Sequence, residues 1–176
     1  MICSKHQKCC IQNRAIVIGA VWLLQLTLGT VQAELIVTSQ SNRIQRFDEN
    51  SGPPFSSLGT VNLSTTPHHG IAFDGTNWYI ASTFTDTFHT YNSSWELQSS
   101  TSISGVSDLR GLTYASNSNT LFAGDNDTSV VREISIDGTV LQQWSTSRST
   151  LNGITYDSST DSLWLGYHTD GIIENR

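Results

Sequence analysis

A short motif recurs three times at an almost constant interval, and this repeat constrains the fold more than any other feature. Each copy begins with a glycine and ends with an aromatic residue three positions later, as in Gly70-Ile71-Ala72-Phe73, Gly111-Leu112-Thr113-Tyr114 and Gly153-Ile154-Thr155-Tyr156. A second apolar run follows each copy after a polar turn. The three glycines lie 41 and then 42 residues apart. A period near 42 residues, with several short β-type runs in each, indicates stacked units of β-sheet.

The repeat predicts an all-β fold of β-propeller repeats, each about 42 residues long and forming a four-stranded blade. No segment has a sustained helical period, and the regular recurrence argues against the alternative, a β-sandwich. Residues 34–176 hold roughly 3.4 such blades, whereas propellers typically close with four to eight. We therefore expect an incomplete propeller and favour a fragment of a longer one. Several chains completing one ring, or a tolerated open array, are the alternatives.

Residues 1–33 are predicted to be a secretory signal peptide rather than part of the fold. A basic segment precedes an apolar run over 15–28, and Val31-Gln32-Ala33 resembles a cleavage site. An uncleaved membrane anchor is the alternative, although the run is short for a bilayer span. All cysteines lie in this leader (Cys3, Cys9 and Cys10). We expect a secreted, periplasmic or extracellular product that starts at Glu34, has no disulfides and is not inserted in a membrane after cleavage.

The predicted mature chain is strongly acidic, with six arginines, no lysine and fifteen aspartate or glutamate residues. Because nucleic-acid binding depends on neutralising phosphates, this composition argues against a nucleic-acid partner. We expect a protein or glycan partner, with self-association through open blade edges as a further possibility.

Two stretches resemble known propeller repeats. Asn42-Arg43-Ile44-Gln45-Arg46-Phe47-Asp48 and Gly70-Ile71-Ala72-Phe73-Asp74 are similar to NHL-type repeats and to their YWTD-type and gluconolactonase-like relatives. The third and fourth units also resemble secreted bacterial propellers that carry a C-terminal PEP-CTERM sorting tag. The chain ends in Ile173-Glu174-Asn175-Arg176 without such a tag. The resemblance covers nearly all of residues 35–173, but its motifs follow blade packing rather than chemistry.

The residue before each repeated glycine is polar: His69, Arg110 or Asn152. If the units are blades, equivalent positions gather at one mouth of a central channel, so these residues are candidates for a ligand site. The alternative is a polar lining that only holds water. His68 precedes His69, but adjacent strand residues point to opposite faces, so the pair is not expected to bind one zinc ion.

Asp125, Asn126 and Asp127 are weaker candidates for a calcium site, because they place three oxygen donors together after a strand. The EF-hand pattern fails, since Val130 stands where that loop needs glycine. The gluconolactonase-like resemblance implies a divalent cation held by Glu, Asn and Asp. Asn152 and Asp125 could be two such ligands, but no glutamate is identifiable. An ordinary exposed turn is the alternative, and we otherwise expect no cofactor.

The favoured function is that of a secreted, non-enzymatic binding protein that recognises its partner through blade loops or the channel mouth. The sequence has no Gly-x-Ser-x-Gly motif and no phosphate-binding Gly-x-x-x-x-Gly-Lys loop. The alternative function is part of a divalent-cation-dependent, gluconolactonase-like hydrolase. For packing, we predict that Tyr79, Phe122 and Trp164 occupy equivalent positions in successive blades, and that Trp164→Ala unfolds the chain.

Overall fold

The computed structural model describes residues 34–38, 42–63, 68–169 and 171–176. The predicted signal peptide, residues 1–33, lies outside the described residues. The described part contains fourteen β-strands and one short 3-10 turn, Glu49–Ser51. No helix within these ranges is long and apolar enough to cross a bilayer.

The strands form four antiparallel sheets in chain order, and neighbouring strands in each sheet are also neighbours in sequence. The first two sheets contain β1 (Glu34–Thr38), β2 (Arg43–Asp48) and β3 (Ser56–Asn62), followed by β4 (His68–Phe73), β5 (Trp78–Ser82), β6 (Thr87–Tyr91) and β7 (Leu97–Ser102). The last two sheets contain β8 (Leu109–Ala115), β9 (Thr120–Asp125), β10 (Val130–Ile134) and β11 (Val140–Ser145), followed by β12 (Leu151–Asp157), β13 (Ser162–Tyr167) and β14 (Ile172–Asn175). This order confirms the predicted four-stranded blades for the two middle sheets.

Strand register confirms the predicted equivalence of three aromatic positions. Tyr79 pairs with Ala72, Phe122 with Thr113 and Trp164 with Thr155. Each aromatic residue therefore lies on the second strand of its sheet, opposite the second residue after the repeated glycine. The repeat in sequence is thus a repeat in structure.

Alternation along the strands builds the cores between sheets, because successive side chains point to opposite faces. Tyr79 packs with residues of the third sheet, and Phe122 packs with residues of the fourth. Their neighbours Trp78 and Leu121 point the other way, toward the preceding sheet. Each junction between sheets therefore has one hydrophobic cluster, and the sheets stack as blades do.

The repeated glycine is explained by close contact between the first strands of neighbouring sheets. A Cβ atom on Gly70 would lie 2.5 Å from both the carbonyl oxygen of Arg110 and the backbone nitrogen of Leu112. A Cβ atom on Gly111 would lie 2.7 Å from the Cγ2 atom of Ile154. The equivalent position on Gly153 has no atom within 4 Å. The inner strands β4 and β8 therefore need glycine at this position because another inner strand lies against each of them, whereas no described strand lies against Gly153 of β12.

The two end sheets are incomplete within the described residues. By register, β1 to β3 correspond to β5 to β7, so the first sheet has no equivalent of β4. The last sheet has no equivalent of β11. Leu35 and Val37 are each 40% exposed on the first sheet, and Trp164 is 43% exposed on the last. The fold is an incomplete, open β-propeller, as the sequence predicts.

The exposure of Trp164 corrects the prediction that Trp164→Ala unfolds the chain. Phe122 is only 9% exposed because the fourth sheet covers it. Trp164 occupies the same position in the last sheet, where no described strand covers its face. Its truncation therefore removes less buried surface than the sequence argument assumed.

Candidate functional site

A β-bulge recurs in each inner strand and presents the three candidate residues predicted from sequence. In β8, Leu109 pairs with Asp125 and Gly111 with Gly124, so Arg110 is the extra residue. Asn152 is the extra residue of β12 in the same way. In β4 the register shifts between His68 and Ile71, which places His69 in the bulge. Bulges redirect a side chain out of the regular ladder, and they are common beside binding sites.

Arg110 joins two of these strands and is the centre of the site. Its NH1 group donates a hydrogen bond to the Oδ1 atom of Asn152 at 3.2 Å. Its Nε–H donates to the Oδ2 atom of Asp108 at 2.8 Å, which forms an ion pair. Arg110 therefore links its own sheet to the next one at the end of the inner strands.

Asp108 is a buried anchor that the sequence prediction missed. Its Oδ1 atom accepts a hydrogen bond from the backbone N–H of Phe84 at 2.9 Å, and its own N–H donates to Asp125. Asp108 lies just before β8 and Arg110 is the bulge residue of that strand, so regular strand alternation does not relate the two side chains. The signal in the sequence is an acidic residue close to the candidate Arg110.

Phe84 presents an exposed aromatic ring at this site. Phe84 is 72% exposed, and the guanidinium carbon of Arg110 lies 5.4 Å from the centroid of its ring. The backbone of Phe84 has φ near 61°, a region that bulky residues rarely occupy. Asp108 holds this conformation through the bond to the Phe84 N–H. Strained residues of this kind concentrate at functional sites, and nothing in the local sequence indicates this one.

Asn126 completes the hydrogen-bond network from the loop after β9. Its Nδ2 group donates to the Oδ1 atom of Asn152 at 3.0 Å and to the carbonyl of Leu151 at 3.3 Å. Its backbone N–H donates to the carbonyl of Asp108 at 2.9 Å. We call the resulting group the mouth cluster; its members are His69, Phe84, Asp108, Arg110, Asn126 and Asn152.

The mouth cluster carries little net charge. The positive charge of Arg110 is balanced by its partner Asp108. Burial, and then the nearby positive charge of Arg110, lowers the pKa of His69 below its usual value, while Asp108 opposes this shift. His69 is therefore neutral at pH 7. The site offers hydrogen-bond donors and acceptors without an excess of either sign of charge.

The structure gives Asp125, Asn126 and Asp127 different roles. Asp125 is fully buried: its Oδ2 atom accepts the hydroxyl of Thr128 at 2.6 Å and lies 3.5 Å from NH1 of Arg132. Asn126 belongs to the mouth cluster, and Asp127 accepts a hydrogen bond from Ser107. Within the described ranges, no three His, Cys, Asp or Glu side chains form a group that could hold a metal ion. Asp125 here anchors the loop and the buried Arg132.

His68 points away from the mouth cluster and is completely buried. Its ring meets the ring of His89 edge-on, with centroids 6.2 Å apart. His89 in turn hydrogen-bonds Ser100 through Nδ1 at 2.8 Å. Burial, and then the proximity of His89, lowers the pKa of His68 from 6.5 to about 4. The two adjacent histidines therefore occupy different environments, as strand geometry predicts.

This burial predicts a loss of stability in mild acid. The unfolded chain binds a proton on His68 near pH 6.5, whereas the folded chain binds it only near pH 4, so the free energy of unfolding falls as the pH drops through this range. The shift corresponds to about 3 kcal/mol at its full extent. Urea unfolding at pH 7 and pH 4.5 measures the larger part of this change, since the full extent is reached only below pH 4. The variant His68→Gln should show a smaller pH dependence, and an unchanged dependence would contradict this role.

Among the comparisons with known proteins, those with solved structures support the β-propeller fold. No protein-family model matches the chain, and no curated protein matches it. A chain in the crystal structure of the mitotic checkpoint complex matches with a TM-score of 0.58 and 15% identity over 81% of this chain. Glutaminyl cyclase from Myxococcus xanthus matches with a TM-score of 0.60 and 15% identity over 75%. Both have β-propeller-like folds, and this chain covers 43% and 62% of their respective lengths.

Proposed function

We propose that the chain is a secreted, non-enzymatic binding protein whose mouth cluster recognises a neutral, hydroxyl-rich ligand such as a glycan. The observation that carries this proposal is the exposed ring of Phe84 lying against Arg110, which in turn donates a hydrogen bond to Asn152. Secretion rests on the sequence of residues 1–33 alone.

The charge balance of the mouth cluster supports a neutral ligand. A site for a free carboxylate or phosphate usually leaves an arginine fork available for two parallel hydrogen bonds. Here the Nε and NH1 groups of Arg110 already bind Asp108 and Asn152. The remaining N–H groups of Arg110, together with the Oδ1 atom of Asn126 and the Nδ2 group of Asn152, can serve hydroxyl groups, which both donate and accept.

The exposed ring of Phe84 supports a ligand that also has an apolar face. Sugars meet this requirement because the C–H groups of a sugar lie on one face of the sugar ring, while its hydroxyl groups project from the edge of that ring. A binding site of this kind needs a few fixed polar groups and an apolar surface beside them. Asp108 fixes both parts, since it bonds to Phe84 and to Arg110.

The test is a binding screen of neutral, acidic and basic oligosaccharides with the purified chain, followed by calorimetry on those that bind. We expect a neutral oligosaccharide to bind and Phe84→Ala to weaken it about tenfold, which corresponds to about 1.4 kcal/mol. The control is Phe55→Ala, because Phe55 is exposed but lies outside the mouth cluster. Both variants should keep the melting temperature of the parent.

Two results would count against this function. Binding confined to charged oligosaccharides, or equal binding by Phe84→Ala and the parent, would exclude the mouth cluster as a neutral-ligand site. Conversion of the ligand to a product in the presence of calcium would instead favour the hydrolase alternative.

A further inference from the structure

Arg132 is a charged residue buried close to the mouth cluster, between the second and third sheets. It lies on β10 and is only 5% exposed. It pairs with Ala123 of β9 and shares a strand face with Ile134, and both neighbours belong to the hydrophobic cluster of this junction. Burying a charge costs free energy unless the charge is paired, so the contacts of Arg132 need an explanation.

The guanidinium group of Arg132 joins two segments that meet at the mouth cluster. Its NH2 group donates a hydrogen bond to the carbonyl oxygen of Gly105 at 2.6 Å, in the connection between β7 and β8. Its NH1 group lies 3.5 Å from the Oδ2 atom of Asp125, the last residue of β9. Arg132 therefore ties the connection that leads into β8 to the end of β9.

Asp108 ends this connection and links it to the ligand-facing residues. Its backbone N–H donates a hydrogen bond to the Oδ1 atom of Asp125 at 3.3 Å. Its carboxylate accepts hydrogen bonds from the backbone N–H of Phe84 and from the Nε–H of Arg110. A shift of Asp108 would therefore displace both the aromatic ring and the guanidinium group of the mouth cluster.

Folding stability alone does not explain a charge at position 132. Within the described ranges, the Nε and NH1 groups of Arg132 have no hydrogen-bond partner. A buried ion pair with incomplete hydrogen bonding is often no more stabilising than apolar residues of the same volume. A role in placing other groups accounts for the arginine better than its contribution to stability does.

A charged residue holds the equivalent connection at the next junction as well. Arg132 pairs with Ala123, and Glu174 pairs with Leu165 at the corresponding place in the last sheet. Glu174 accepts a hydrogen bond from the Nε–H of Arg148 at 2.9 Å, and Arg148 lies in the connection between β11 and β12. At both junctions, a charged side chain on the third strand therefore fixes the segment that leads into the inner strand.

We propose that Arg132 is a positioning residue for the mouth cluster. It fixes Asp108 through its contacts with Gly105 and Asp125. Asp108 in turn holds Phe84 in the conformation that exposes its ring. The consequence for ligand binding rests on the proposed function, whereas the placement of Phe84 can be measured on the free protein.

The test is hydrogen exchange of the Phe84 amide, measured by NMR on the isotope-labelled full chain. The bond to Asp108 protects this amide in a turn that is otherwise exposed. We expect Arg132→Met, which keeps a long side chain but removes the charge and the donors, to speed the exchange of Phe84 roughly tenfold or more through local opening.

The matched control is Val131→Ala. Val131 is the neighbouring buried residue of β10, but it packs in the junction between the third and fourth sheets. Its truncation should lower the stability of the whole chain and leave the exchange rate of Phe84 within about twofold of the parent, because a local opening does not depend on global stability. Equal acceleration by Val131→Ala would overturn the proposal.

Arg132→Lys keeps the test decisive if Arg132→Met does not fold. Lysine retains the charge but lacks the planar fork that contacts Gly105 and Asp125 together, so we expect about threefold faster exchange of Phe84. An unchanged rate in a folded Arg132 variant would contradict the positioning role. Calorimetry separates this role from the proposed function: if the parent chain binds no oligosaccharide, the proposed function fails while the exchange result for Arg132 stands.

Discussion

Replacing Gly70 with alanine is expected to cost about 3 kcal/mol or more of folding stability, because the new methyl group would overlap the backbone of the neighbouring strand. A Cβ atom there would lie 2.5 Å from the carbonyl oxygen of Arg110 and from the nitrogen of Leu112. Overfilled positions typically cost about 1–3 kcal/mol, and backbone atoms cannot rotate away as a side chain can. For a domain with about 5–15 kcal/mol of total stability, this is a large fraction.

The control for Gly70→Ala is Gly153→Ala, at the equivalent position of the last inner strand. No atom lies within 4 Å of the Cβ position on Gly153, so alanine there should change the free energy of unfolding by less than about 1 kcal/mol. Urea denaturation of the two variants measures the difference directly. Equal destabilisation at both positions would mean that the glycine serves local backbone conformation rather than the contact between blades.

Truncating Phe122 to alanine is the second large effect that we expect, at about 3–5 kcal/mol. Phe122 packs between the third and fourth sheets, where its ring meets the ring of Trp144 edge-on and stacks on that of Tyr156, with centroid distances of 5.9 and 6.0 Å. Removing the ring leaves a cavity in the junction that joins the two sheets. The midpoint of urea unfolding should fall accordingly.

The structure provides an internal comparison for this prediction, since Trp164 occupies the equivalent position on the last sheet. Trp164 is 43% exposed, so Trp164→Ala should cost clearly less than Phe122→Ala although tryptophan is the larger residue. If Trp164→Ala proves the more damaging of the two, the face of the last sheet must be covered in solution.

The repeat in the sequence was sufficient to predict the architecture because each blade is a local unit. The spacing of Gly70, Gly111 and Gly153 placed the inner strands, and the aromatic positions followed from it. The repeat period could not predict which of these aromatic side chains are buried and which are exposed to solvent. Trp164 and Phe122 have similar local sequences, and their different burial depends only on whether another sheet lies beside them.

The candidate site was predictable only in part for the same reason. His69, Arg110 and Asn152 share a position relative to the repeated glycine, and the structure places all three in bulges at the ends of adjacent strands. Phe84 and Asn126 join these residues from loops. Phe84 does so through a strained backbone and Asn126 through hydrogen bonds to the next sheet, and the spacing of residues in the sequence predicts neither. Asp125 is a weak candidate cation ligand in the sequence because three oxygen donors adjoin there. Its contact with Arg132 on the next strand could not be predicted from that spacing.

The most direct test of the proposed function is amide chemical-shift mapping of the isotope-labelled chain, titrated with the tightest neutral oligosaccharide from the screen. The proposed function predicts the largest shifts at Phe84, Arg110, Asn126 and Asn152, and their loss in Phe84→Ala. The largest shifts at the opposite end of the inner strands, near the turn at Asn117 and Ser118, would contradict it, because the ligand would then bind away from the mouth cluster.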